Sequence, residues 1–365
     1  MKMTSRSRKL HYAAATSVLF IMLAMAALVI GMVGCDAPTA GEEIRDWHDL
    51  DAIRDNVDGK FLLMNDLDST TAGYEELAGP TANDGKGWQP IGIWPNPFTG
   101  SFDGQGFEIR DLFIDRPVED HVGLFSFVET GAVIVDVALT DADVTGQTYV
   151  GALVGHIHDG GLSNCHSTGS VAGDTEVGGL AGESGAIVSN SYSTANVSGS
   201  FVVGGLIGQN HGTLSKSYST GSVFGDEYVG GLVGWNQEGT VSNSYSIGRV
   251  DGVSLVGGLV GSNRATVSSC YSAGNVTGLE DVGGLTGRNY EGTVSNSFWD
   301  MQTSGQATST GGTGKTTAEM KDIATFPGAA WSIVAVDSLG ERNPEYIWNI
   351  VDDESYPFLS WQPVV

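Results

Sequence analysis

Between residues 122 and 299 the apolar positions recur with a long fixed period, and no stretch shows the 3.6-residue period of a helix. The segment Val-Gly-Gly-Leu-x-Gly begins at Val177, Val203, Val229, Val256 and Val282. Val150-Gly151-Ala152-Leu153-Val154-Gly155 precedes them, and Val122-Gly123-Leu124-Phe125 is a degenerate first copy. Gly151, Gly178, Gly204, Gly230, Gly257 and Gly283 are spaced by 27, 26, 26, 27 and 26 residues. Each unit holds three short extended pieces, at 229–234, 240–246 and around Val250 in one of them. They are rich in Val, Thr and Tyr and separated by Gly, Asn and Asp, the composition of strands and turns. A unit this short cannot bury its own apolar side and must stack on its neighbours. The pattern predicts an all-β chain: a parallel β-solenoid (β-helix) of 26–27 residues per coil, with three short strands per coil and small α/β caps. Each coil then rises by the strand spacing of about 4.8 Å.

Read across coils, equivalent positions form columns. Val150, Val177, Val203, Val229, Val256 and Val282 make one apolar stack, and Leu153, Leu180, Leu206, Leu232, Leu259 and Leu285 a second. Val171, Val197, Val223, Val250 and Val276 make a third. Val229 and Leu232 are three apart, which a regular strand would send to opposite faces. Gly230-Gly231 is therefore assigned a bulge or a positive φ that turns both side chains inward. Cys165, Ser191, Ser217, Ser244, Cys270 and Ser297 form a uniformly small column suited to the interior. The following residues, His166, Tyr192, Tyr218, Tyr245, Tyr271 and Phe298, then point outward as an aromatic ladder. Asn210, Asn236, Asn263 and Asn289 are assigned a structural ladder whose amides bond from coil to coil and tolerate a left-handed turn.

Outside the repeats the period changes. Trp47, Leu50 and Ile53 predict a short amphipathic helix within 46–56, followed by the apolar strand Phe61-Leu62-Leu63-Met64. Residues 66–100 read as an irregular loop, and Ile109, Leu112 and Ile114 lead into the first coils. At the far end Thr316-Thr317-Ala318-Glu319 offers a capping box. Residues 346–350 and 356–361 resemble closing strands that blunt the solenoid's edge.

The first 35 residues set the compartment. Lys2, Arg6, Arg8 and Lys9 precede an uncharged apolar run, which ends in Met32-Val33-Gly34-Cys35, the pattern of a secretory signal peptide. That ending resembles the lipobox of bacterial lipoproteins, with Met32 where Leu is usual, and the resemblance implies that Cys35 is lipidated. The apolar run is also long enough to span a bilayer, so an uncleaved transmembrane anchor is the alternative. The organisation expected is a signal peptide at 1–35, a tether at 36–43, and an N-terminal cap with first coils at 44–121. The solenoid then occupies 122–299 and a C-terminal capping region 300–365.

The 365 residues carry 17 basic and 43 acidic side chains, a formal charge of -26, and 13 basic residues against 43 acids remain after Cys35. Such a surface repels phosphate backbones, which excludes nucleic acid as a partner. The 53 glycines follow no G-X-Y period, and 41% hydrophobic residues suffice for a core. With Cys35 in the anchor, Cys165 and Cys270 are too few for a disulfide scaffold. They stand four coils apart, about 19 Å at the strand spacing, beyond the reach of a disulfide.

The Gly-Gly-Leu-Val-Gly core, followed by Asn-Ser-Tyr-Ser-Thr-Gly-x-Val, resembles the GLUG repeat of secreted and surface-anchored prokaryotic proteins. That repeat also occurs in the non-catalytic region of IgA-specific metallopeptidases. The resemblance covers residues 122–299 and implies a β-solenoid surface module with an adhesive role and no activity of its own. The zinc site of such peptidases needs His-Glu-x-x-His on a helix, and none of the seven histidines stands in that pattern.

Other chemical signals are weaker. Ser309-Thr310-Gly311-Gly312-Thr313-Gly314-Lys315-Thr316 nearly spells a phosphate loop but lacks its first glycine and a preceding strand, and reads as a flexible loop. His156 and His158, with His166 nearby, offer a metal-binding trio or lone surface histidines. Asp174, Asp226, Asp251, Glu280 and Asp281 are read as stacked turn carboxylates, solvated or bridged by Ca²⁺. Lys216, Arg249, Arg264 and Arg288 fall in different columns, which argues against the basic cluster a polysaccharide lyase needs. No catalytic residue, cofactor or metal is assigned. The expectation is a lipid-anchored surface protein with a structural or adhesive role. Its partner is an envelope or extracellular polysaccharide or a surface protein, and Tyr192, Tyr218, Tyr245 and Tyr271 are the candidate ligand-binding residues. A carbohydrate-binding module built on that ladder is the alternative, with a β-helical lyase or hydrolase behind it.

Overall fold

In the computed structural model, which describes residues 41–364, the chain from Glu42 winds as a parallel β-solenoid of about seven turns. Cys35 and residues 36–40 of the expected tether lie outside the described residues. Glu42 and Glu43, assigned to that tether, instead belong to the strand Glu42–Ile44.

The three extended pieces of each repeat resolve into five short strands on four faces. In one coil these are Glu227–Gly230 on the first face, Val233–Asn236 on the second and Thr240–Ser242 on the third. Tyr245–Ser246 and Val250–Asp251 share the fourth. Pairing to the next coil is parallel and in register: Val229 meets Val256, Val233 meets Val260, Val241 meets Val267, Tyr245 meets Tyr271 and Val250 meets Val276. The second piece breaks at Asn243, whose φ is 48°.

The corner between the first and second faces corrects the reading of the glycine pair. The left-handed residue is Tyr228, at φ 57°, and not Gly230 or Gly231. The ladder passes from Glu227 to Val229 and, on the next coil, from Ser254 to Val256, so each strand turns at a left-handed residue one before the valine, which sends Tyr228 outward. The glycines serve close approach instead. A Cβ on Gly230 would lie 1.9 Å from the Val233 carbonyl oxygen, and one on Gly231 would lie 2.2 Å from that of Gly258. The last glycine of each unit packs against the left-handed turn of the preceding coil: a Cβ on Gly261 would meet the backbone of Tyr228 and Val229 at 2.7 Å.

All six leucines of the Leu232 column, the Val250 column and the Cys165 column are buried, as is the Val229 column up to the half-buried Val282. Each fully buried leucine contributes roughly 1.5–3 kcal/mol of transfer free energy. Cys165 and Cys270 are free thiols, and burial pushes both pKa values up to about 12.

The N-terminal part continues the solenoid. Trp47–Ala52 is a helix capped by Asp46, and Trp47, Leu50 and Ile53 are buried. Glu42–Ile44, Lys60–Leu63 and Ser101–Asp103 extend the third face in parallel. At the other end the phosphate-loop-like stretch is neither a nucleotide loop nor a flexible one. Its strand Thr313–Lys315 pairs with Phe298–Asp300 and prolongs the fourth face. Thr316 and Glu319 form the capping box of the helix Thr317–Lys321. The closing strands Trp348–Ile350 and Phe358–Leu359, with Ile333–Ala335, form a separate three-stranded sheet. It lies against the aromatic ladder on the flank of the solenoid.

Candidate functional site

The structure places the sequence-predicted residues as follows. Asn210 donates its amide to Asn236 at 2.9 Å, Asn236 to Asn263 at 2.8 Å, and Asn263 to Asn289 at 2.8 Å. This column is an amide ladder inside the solenoid, and its members keep negative φ. Tyr192, Tyr218, Tyr245 and Tyr271 stack with ring centroids 4.7–4.9 Å apart and planes within 6°. The solvent-facing reading of this stripe is corrected by what covers it. Tyr218, Tyr245 and Tyr271 are only 5%, 2% and 1% exposed. Trp331, Trp348 and Tyr356 pack on Tyr271, which donates its hydroxyl to the Pro357 carbonyl at 2.6 Å, while Tyr245 donates to Gln362 at 2.8 Å. The rings point out of their coils, as the period requires, but into the C-terminal sheet. Tyr192 is half-buried, and the half-buried His166 stacks on it at 4.6 Å.

His166 therefore sits on the fourth face, apart from His156 on the second, and the histidine trio does not converge. The acidic turn residues do not stack either. Asp174 and Asp226 share a column but are separated by Ser200. Asp251 lies opposite Thr277 and pairs with Arg249, Glu280 lies opposite Ser254, and Asp281 occupies the left-handed position.

A different surface gathers functional chemistry. The left-handed positions of the first face carry His121, Tyr149, Glu176, Val202, Tyr228, Leu255 and Asp281. Beside them the outward row of the second face carries Phe127, His156, Glu183, Gln209, Trp235, Ser262 and Arg288. The sharp corner sets the two rows side by side, with Tyr149 5.4 Å from His156 and Tyr228 5.4 Å from Trp235. Inward columns repeat one residue type from coil to coil, whereas these rows change at every coil.

One half of the stripe is titratable. His156 Nδ1 lies 3.6 Å from Glu183, and His211 Nε2 lies 3.2 Å from the other Glu183 oxygen. Burial raises Glu183, but the hydrogen bond from His211 and the charges of His156 and His211 outweigh it and hold the carboxyl below its ordinary value. The same hydrogen bond raises His211, while burial lowers His156 and His121. Glu176 is pushed up to about 7 by burial and by Glu183, against His211, and its Oε2 is buried without a partner.

The other half is an open cleft of about 230 Å³ lined by Tyr228, Trp235, Leu255, Ser262, Arg264, Arg288 and Tyr290. The Arg264 guanidinium lies 5.6 Å over Trp235 and 5.0 Å over Tyr290, and Arg288 lies 5.8 Å from Tyr290. Arg264 and Arg288 occupy different columns, yet the structure brings them to one ring. The cleft is not legible in columns that agree; its signal in the sequence is the columns whose members differ.

The chain carries GLUG repeats: the profile of the GLUG motif matches residues 146–172 and 225–251. Halomucin of Haloquadratum walsbyi is 37% identical over 162 residues, which is 43% of this chain and 2% of halomucin. A protein described as a Gly-rich membrane protein of Evansella cellulosilytica is 33% identical over 99 residues, 26% of this chain and 10% of that protein. The chain thus spans a small fraction of the relatives it matches. Among solved structures, a protein from Bacteroides ovatus described as an immunoglobulin A1 protease superposes with a TM-score of 0.56 at 18% identity, covering 90% of this chain and 94% of that one. At that identity the likeness is one of fold.

Proposed function

We propose that this chain is an exported, lipid-anchored surface solenoid with a structural or adhesive role, holding its partner along the stripe between the first and second faces without catalysis. One observation carries the reading. The solenoid repeats its inward chemistry coil after coil and varies its outward chemistry along this corner, which is the arrangement of a rigid scaffold presenting an extended binding surface. Aromatic faces and charged tips side by side are the groups that hold a partner from water. The signal-like N-terminus and the membrane protein among the relatives support export. A tyrosine-ladder module has lost its support, because the C-terminal sheet occupies that ladder.

The anchor is tested by replacing Cys35 with Ser. Metabolic labelling with palmitate is expected to vanish, and label persisting on the variant would sink the lipid anchor. The binding role is tested by adhesion of cells displaying the full chain to envelope polymers and surface proteins. Adhesion unchanged when Tyr228, Trp235 and Tyr290 are all replaced by Ala would refute the assignment to this stripe.

A further inference from the structure

We propose that the cleft at the arginine end of the stripe is a site for a carboxylated sugar, a uronate unit within a glycan chain. The inference rests on the binding role proposed above and adds the ligand's chemistry. Three features of the cleft converge on it.

Size comes first. About 230 Å³ lies below the range of roughly 300–1,000 Å³ typical of pockets for drug-sized ligands, so the cleft suits one ring and not a large cofactor. The walls come second. Tyr228, Trp235 and Tyr290 offer aromatic faces against which the apolar face of a sugar ring packs.

Charge comes third and selects the class. On a chain with a net charge of -26, a neutral sugar needs no arginine and an anionic one meets repulsion almost everywhere else. Here Arg264 is exposed and makes no ion pair among the described residues, its guanidinium resting over Trp235 and Tyr290. Among the described residues Arg288 pairs only with the exposed Asp281, at 3.8 Å. A guanidinium resting over aromatic rings has fewer orientations open to it, and its fork of donors matches the two oxygens of a planar carboxylate. The aromatic rings thus hold both the sugar and the arginines that read its acid group.

The test uses the full chain with polygalacturonate, alginate and hyaluronan, against methyl-esterified polygalacturonate, dextran and dextran sulfate, read by titration calorimetry and Trp fluorescence. Binding of at least one uronate polymer is expected, lost on esterification. Arg264→Gln and Arg264→Lys are expected to weaken it roughly 10-fold or more, the Lys variant because it keeps the charge and loses the fork. Circular dichroism of each variant confirms that the solenoid is intact. Equal binding of dextran sulfate, or full retention by Arg264→Lys, would reduce the site to charge attraction and overturn the carboxylate assignment. Binding of dextran unaffected by either arginine would overturn this inference while leaving the binding role in place. The same holds if no glycan binds but cell adhesion still depends on Tyr228, Trp235 and Tyr290. Unsaturated ends appearing in the uronate would mean lyase chemistry and overturn the non-catalytic reading.

Discussion

Replacing Asn236 by Asp tests the amide ladder with almost no change of shape. Asn236 is fully buried, accepts from Asn210 at 2.9 Å and donates to Asn263 at 2.8 Å. An ionised aspartate still accepts from Asn210 but sets a second acceptor against the Asn263 oxygen, with no proton between them. A buried carboxyl in such a place is pushed up by about 3 pK units, and at about 1.4 kcal/mol per unit the charged form costs about 4 kcal/mol. Protonation restores a donor, so the acid form is expected to lie within about 1 kcal/mol of the wild type. The sign follows from linkage. The folded pKa is raised above the unfolded value near 4, so stability is fully present below about pH 4 and lost as pH rises toward about 7. Urea denaturation followed by circular dichroism, with wild type and variant compared at pH 4.5 and pH 8, is expected to show a gap wider by about 3 kcal/mol at the higher pH. Glu238→Ala, at an exposed position in the same coil, serves as the control. A gap independent of pH, or no larger than that of the control, would mean that Asn236 does not sit in a closed ladder.

Two further outcomes follow from the packing and the titrating groups. Tyr245→Ala with Tyr271→Ala removes rings wedged between the solenoid and Trp348; at about 3–5 kcal/mol per large-to-small change, the C-terminal sheet is expected to loosen. Faster proteolysis within 331–362 and a red-shifted Trp emission would show it, and an unchanged pattern would refute the docking. Glu176 carries a pKa raised to about 7, so its contribution is present below the unfolded carboxyl value and lost as pH rises through about 7. Glu176→Gln is accordingly expected to match the wild type near pH 4 and to exceed it at pH 8 by about 1 kcal/mol, a value discounted for the group's partial exposure, and a Gln variant that is the less stable at pH 8 would contradict this.

Much of the fold is legible because a solenoid coil meets its own copy. Val229 packs on Val203 and Val256 whatever the rest of the chain does, so a residue type repeated every 26 or 27 positions reports an inward column directly. The amide ladder and the small Cys165 column could be read on the same ground. The internal geometry of the coil was less legible. Sequence placed the left-handed turn at Gly230-Gly231 because glycine tolerates it, but the structure places it at Tyr228. The glycines are required by carbonyl oxygens of the same and neighbouring coils, a contact that exists only once the corner has closed. The arginine cleft was hidden for a related reason. Arg264 and Arg288 lie in different columns, and only the corner brings both to Tyr290.

The sequence by itself determined the solenoid, its period, its inward columns and the acidic character of its surface. These follow from side-chain alternation and from copies stacking in register, both of which are local or periodic. The tertiary structure alone decided which outward row is free. Period 2 directs Tyr271 and Trp235 equally out of their coils, but Tyr271 is covered by a strand pair ending 88 residues later, at Leu359, while Trp235 lines an open cleft. Direction out of a coil is set by neighbouring residues. Burial beyond the coil is set by whichever distant segment gains apolar contact by docking there.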